Sequence, residues 1–287
     1  MGNWIPLGVA LLLAAASVQS RAVDAVSPAD PPHADAAAPA DLPLGDEVAR
    51  RINARDEGES SSRRVTMELI DKRGKSRVRE AYFLRRFFGA EKRTAIFYVT
   101  PTNIKDTAFL TWDHPEPDVE DDQWLYLPAL RKVRRISAAD RGDYFLGTDL
   151  TYEDIKKESK VSIRDYTWKT IGEEKVDGHA CIRVEAVPVD ERISRELGYS
   201  RVISWVDSQI WIVRQADYWD RAGRHLKTTH ISDIREVDGI WTPHRIEVRN
   251  HRTQHRTVFS IDQVDYASGV EEELLTKRAI ARGWRGR

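Results

Sequence analysis

Along residues 44–58 the apolar positions recur every fourth residue, at Leu44, Val48 and Ile52, with Arg50, Arg51 and Arg55 between them. This spacing predicts an amphipathic helix with a narrow apolar stripe, and Gly58 stands where it would end. From Val65 the rhythm changes to two. Val65, Met67 and Leu69 alternate with polar neighbours, residues 72–75 supply a turn, and residues 78–83 return as the partner strand. Residues 95–99 and 108–112 continue the series on either side of a loop at Pro101, and 116–122 form an acidic connection. Residues 124–127 are aromatic and branched enough for a strand, which Pro128 ends. A second strand-like run then sets Val133 and Ile136 among Arg131, Lys132, Arg134 and Arg135. After a loop at 137–142, Tyr144, Phe145 and Leu146 form an apolar plug, Gly147 permits a sharp turn, and Thr151 with Asp154 makes a helix-start capping pair.

Beyond Ile155 the two-residue rhythm resumes. Strands are expected at 161–168, 180–187, 199–206, 210–218, 226–231, 240–248 and 257–264, with turns at Asp177-Gly178, Ala222-Gly223 and Asp238-Gly239. Residues 271–280 are expected to form a closing helix carrying Leu274, Leu275 and Ile280. Many strands, frequent turns and almost no interior helices predict a mainly β fold, an antiparallel sheet or barrel. Three runs do not alternate: 96–99, 124–127 and 210–213 are apolar at every position. A sheet with one wet face would alternate cleanly, so here both faces must be covered, or one must line an apolar cavity.

Composition adds limits. The chain has 287 residues and a mass of 32.9 kDa, 32% of it charged, with a net charge of -1 and a mean hydropathy of -0.54. The charge balance argues against nucleic acid as a partner. The single cysteine, Cys181, excludes an internal disulfide and is expected to act as a small buried apolar residue. Residues 5–18 are almost wholly apolar and lead into small residues before Ala22, the pattern of an export signal over 1–22. An Ala/Pro/Asp-rich tether over 23–43 follows, then a folded domain over 44–287.

The run Trp124-Leu125-Tyr126-Leu127-Pro128, the basic strand after it, and Phe145-Leu146-Gly147-Thr148-Asp149-Leu150-Thr151-Tyr152-Glu153-Asp154 resemble the signature of the LolA-like outer-membrane lipoprotein-sorting proteins. Within that family they resemble the branch found beside lipid exporters of the RND class. Further marks are Thr107 to Leu110, Trp205-Val206-Asp207 and Asp238 to Pro243, and Asn103 to Asp106 departs from the family pattern. The resemblance implies a half-open antiparallel β-barrel, LolA/LolB-like, with a few covering helices and a monomeric state. It implies a periplasmic carrier of lipid or lipoprotein acyl chains, without cofactor or catalytic residues. The expected partners are an RND-type inner-membrane transporter or an outer-membrane acceptor. The alternative is a periplasmic lipid-sensing module that reports through a protein partner.

On this reading Met67, Leu69, Phe97, Leu110, Trp124, Tyr126 and Phe145 are the candidate cavity residues. Each buried methylene would contribute about 0.8 kcal/mol to holding an acyl chain. Arg131, Lys132, Arg134 and Arg135 are candidates for an anionic headgroup or acidic partner, with ion pairing to nearby carboxylates as the plain alternative. Other chemistry has less support. His225 with His230 and His251 with His255 lack the accompanying ligands of a metal site. Asp149, Glu153 and Asp154 fit a helix start better than an acid/base set. No nucleophile elbow supports a lipase.

Overall fold

The computed structural model describes residues 41–116 and 119–286. The expected export signal and all but the last three residues of the tether lie outside the described residues.

Thirteen strands form one sheet. The first six are β1 Ser60–Ile70, β2 Ser76–Phe88, β3 Glu91–Thr100, β4 Ala108–Asp113, β5 Asp122–Leu127 and β6 Lys132–Ile136. The other seven are β7 Tyr166–Val176, β8 His179–Pro188, β9 Tyr199–Asp207, β10 Val213–Asp220, β11 His225–Val237, β12 Ile240–Asn250 and β13 Arg256–Asp265. Their order across the sheet is β6-β5-β4-β3-β2-β1-β13-β12-β11-β10-β9-β8-β7, antiparallel throughout. The chain therefore steps outward from the centre to the β6 edge. It crosses to the opposite edge through residues 137–165, then steps back until β13 pairs with β1. A twisted sheet of this width curls, and the result is a half-open antiparallel barrel.

Among the described residues four α-helices accompany it: α1 Gly45–Ala54, α2 Tyr152–Lys157, α3 Glu191–Leu197 and α4 Lys277–Arg282. The stripe of α1, Val48 and Ile52, packs on Ile182, Val184 and Val206. Gly45 allows the close approach, since a Cβ there would lie 2.4 Å from the Trp168 backbone. The expected capping box of α2 is present, with the Thr151 hydroxyl accepting from Asp154 N and the Asp154 carboxylate from Thr151 N. Asp177-Gly178 and Asp238-Gly239 both adopt positive φ, as tight hairpin turns require.

Four departures from the sequence reading have a local reason. Residues 161–165 are not strand, because the Asn53 side-chain amide bonds both the N–H and the carbonyl of Val161 and ties this stretch to α1. Residues 208–212 form a turn, not the start of a strand: the Asp207 carboxylate accepts from the N–H groups of Gln209 and Ile210. Helix α3 was not anticipated, although Asp190 caps its start and Gly198, at φ 81°, ends it. The closing helix is split into a 3-10 turn, Glu272–Leu275, and α4, because Thr276 caps a new start by accepting from Ala279 N.

The two faces carry different cores. On the inner face of the first six strands, Met67, Phe83, Ile96, Tyr98, Phe109 and Leu125 pack under Phe145, Tyr152 and Ile155 of the crossing segment. On their outer face, Leu84, Ala95, Phe97, Ala108, Leu110 and Trp124 pack under Val270, Leu275 and Ile280. Trp284 stacks on Tyr82, with ring centroids 4.7 Å apart. The apolar runs at 96–99 and 124–127 are thus explained by cover on both sides.

Candidate functional site

Inner-face positions of β8 to β13 are not filled from above in the same way. They leave a cavity of about 230 Å³. Its floor is Ala186, Val202, Ala216, Tyr218, Ile231 and Phe259, and its far wall includes Trp168 and Ile212. Leu150 and Ile155 of the crossing segment reach its boundary. The volume is below the ~300–1,000 Å³ of ordinary small-molecule sites, so in this state it suits a narrow aliphatic chain.

One wall is ionic. Arg63 pairs with Glu158 at 2.8 Å, and Arg85 reaches Glu57 at 3.4 Å and Glu158 at 3.6 Å. Lys160 lies 3.5 Å from Glu57 and donates to the carbonyls of Asn53 and Arg55, while Arg55 approaches Glu57 only to 3.8 Å. Behind them Lys92 pairs with Asp113 at 3.0 Å. Burial works to raise the Glu57 pKa, but the charges of Arg85, Lys160 and Lys92 outweigh it and hold the carboxyl at about 2. Arg63, Arg85 and Glu158 are similarly enclosed, and Glu158 also ionises below its usual range because Arg63 and Arg85 overcome its burial.

The crossing segment is latched to the sheet by polar contacts. The Asp149 carboxylate accepts from Thr257 Oγ1 and contacts His255 Nδ1, each at 2.6 Å. Fully buried Lys227 donates to the Asp149 carbonyl and to Asp154 Oδ2, which also accepts from Tyr199 Oη. A second ionic cluster holds α2 to the far edge. Lys156 pairs with Asp121 and Glu153, and Arg141 with Asp165 and Glu196. The carboxylates considered for acid/base work are therefore occupied as cap and latch.

The structure brings Met67, Leu69 and Phe145 together in the inner core of the first six strands. Phe97, Leu110 and Trp124, with partly buried Tyr126, lie on the outer face under the C-terminal segment. None of the seven lines the cavity. Protein covers both faces at these positions, and the cavity lies mainly over the other half of the sheet, with Arg63, Val65, Phe83 and Arg85 of β1 and β2 on its near side. Arg131, Lys132, Arg134 and Arg135 are exposed on or beside the edge strand β6, away from the cavity lining. Arg135 pairs with Asp122 at 2.8 Å and Arg134 comes within 4.0 Å of Asp140. The histidines have separate partners: His230 meets Asp177, His255 meets Asp149, and the tilted rings of His225 and His251 lie 4.3 Å apart beside Thr228. Among the described residues no group of metal-ligating side chains forms, and no helix is long and apolar enough to cross a membrane.

The ionic wall was missed by sequence reasoning, yet a signal existed. Arg63 shares its strand face with Val65, Met67 and Leu69, and Arg85 shares one with Ala81 and Phe83. A charge on an inward register is expensive unless paired and so marks a built feature.

Comparison with known proteins agrees with this architecture. A model of an uncharacterized protein family matches residues 90–282, about two thirds of the chain. A putative outer-membrane lipoprotein-sorting protein domain from Vibrio parahaemolyticus is 29% identical, with a TM-score of 0.75, over 83% of this chain and 98% of that one. The chain belongs to the LolA-like family. A DUF1329 family protein from Desulfovibrio piger is equally similar, 29% identical with a TM-score of 0.75, over 82% of this chain and 97% of that one. A LolA superfamily protein from Nitrosomonas europaea, 17% identical, shares the fold with a TM-score of 0.62 over 83% of this chain and 99% of its own. No curated protein matches the sequence.

Proposed function

We propose that this LolA-like protein is a periplasmic carrier that shelters an acyl chain of a lipid or lipoprotein and passes it between membrane-bound partners. The observation that carries the reading is the apolar cavity on the inner face of β8 to β13, bounded by the latched crossing segment. Binding needs only removal of methylenes from water, at about 0.8 kcal/mol each, and no bond is made or broken. Larger cargo enters by outward movement of residues 149–162, which breaks the buried polar latch to Lys227 and Thr257 and lifts Tyr152 and Ile155 from the inner core. The donor or acceptor is an RND-type inner-membrane transporter or an outer-membrane site, and the exposed basic edge at Arg131, Lys132, Arg134 and Arg135 is the surface offered to it. The relative described as a lipoprotein-sorting domain supports the choice of cargo class.

Native mass spectrometry of protein recovered from the periplasm tests this. The expected result is a bound mass that organic solvent releases as an acylated molecule. Protein that is ligand-free on recovery and takes up no fatty-acid probe would contradict it.

A further inference from the structure

The ionic wall is not neutral. Arg55, Arg63, Arg85, Lys92 and Lys160 stand against Glu57, Glu158 and Asp113, five cations against three carboxylates. The other carboxylates that line the cavity are engaged elsewhere: Glu153 with Lys156 and Lys157, Asp154 with Lys227, Asp165 with Arg141, and Asp56 with the N–H of Gly58. The imbalance shows at single atoms. The Nε–H groups of Arg55, Arg63 and Arg85 are buried without an acceptor, while only one carboxylate oxygen of this wall, Glu158 Oε1, is buried without a donor. The Arg85 side chain is only 3% exposed and that of Arg55 9%, so bulk water does not serve them. Burial lowers the Lys160 pKa, and neighbouring Arg55 and Lys92 push it further down. Burial lowers that of Arg55 too, with Arg85 adding to the effect. Glu57 opposes both shifts without overcoming burial, whereas the better-paired Arg63 and Lys92 shift upward.

Arg55, Arg63, Arg85 and Lys160 all line the cavity whose floor is apolar. A buried guanidinium short of partners is costly, and an anion in the cavity supplies the missing counter-charge. We propose that the cavity takes an amphiphile with an anionic head, a carboxylate or a phosphate, seated against Arg55, Arg63, Arg85 and Lys160, with its chain along β8 to β13. This rests on the carrier reading and specifies its ligand class. It also places the head inside the barrel, not at the basic edge beside β6.

The test is calorimetric titration of the whole protein with dodecanoate, dodecyl phosphate and dodecanol, each below its micelle concentration and at low salt. One charged hydrogen-bonded contact makes the expected preference for the anions over the alcohol about tenfold or more. Arg55→Gln, which removes the most loosely paired cation, should narrow that ratio severalfold. Dodecanol binding as tightly as the two anions would overturn the anionic head and leave the carrier reading standing. Inorganic phosphate binding in the same protein, with no preference among the three amphiphiles, would mean a separate anion site and would also overturn it. Binding of none of the three would overturn both. Preference for one anion over the other identifies the head as carboxylate or phosphate.

Discussion

The two halves of the sheet solve the same packing problem differently. The six strands from β1 to β6 are covered twice, by the crossing segment within and by the C-terminal turn and helix without. The strands from β7 to β13 carry α1 and α3 over part of their inner face and leave the rest around a cavity. The doubly covered half is built of large side chains in close contact: Phe145 lies within 5.2–6.4 Å, ring to ring, of Phe109, Tyr152 and Tyr98. The other half places small residues, Ala186 and Ala216, under the open space. Rigidity belongs to one half and room for a ligand to the other. The ionic wall lies along their seam, since Arg63 and Arg85 stand on β1 and β2 and line the cavity.

Acid should strike that seam and the second ionic cluster hardest. Glu57 and Glu153 are each held at about 2, well below the ordinary carboxylate value of 4.5, against the opposing effect of their burial. For Glu153 the neighbouring charges are Lys156, Lys157 and Arg141. A depressed carboxylate contributes its stability above the unfolded-state pKa and loses it as pH falls toward the folded value. Stability should therefore be nearly flat above about pH 5 and fall steadily from about pH 4.5 to 2, by on the order of 3 kcal/mol per group, with the melting temperature falling in step. Thermal melts across this range check it, and the Glu57→Gln variant should show a shallower acid slope. Phe145→Ala comes next. Emptying the fully buried plug should cost about 3–5 kcal/mol, read by denaturant unfolding. Leu110→Trp should overpack the outer core and cost about 1–3 kcal/mol while fatty-acid-probe binding persists, because this residue faces away from the cavity. The smallest effect is expected of Thr151→Ala. Losing the cap of α2 should cost about 1 kcal/mol, again by denaturant unfolding.

The sheet was legible in the sequence because alternation is a local property. Val65, Met67 and Leu69 announce β1, and the Asp-Gly turns at 177–178 and 238–239 announce their hairpins. The capping pair at Thr151 and Asp154 announced α2. Helix α3 was not read because seven residues are too few for a helical period to stand out, even with Asp190 and Gly198 at its ends. The seven candidate cavity residues lie outside the lining of the described cavity for an instructive reason. Runs without alternation, such as 96–99, mark strands covered on both faces, and here both covers are protein. A strand facing a cavity alternates just as one facing a core does, so nothing in 202–206 or 216–218 distinguishes them. What lies above a face depends on the crossing segment at 137–165, a contact between residues distant in sequence. The charges in the seam had a readable parity on β1 and β2, but their partners Glu57 and Glu158 come from loops that no periodicity places.

Placing a large side chain at Ala216, on the floor of β10, tests the central claim most directly. Ala216→Trp should fill the cavity and reduce binding of a fluorescent fatty-acid probe by more than tenfold, while the melting temperature stays close to that of the parent protein. Leu110→Trp in parallel should show the reverse, a lower melting temperature with binding retained. If Ala216→Trp instead lowers the melting temperature strongly and leaves probe binding intact, the inner face of the second half is an ordinary packed core and ligand binds elsewhere.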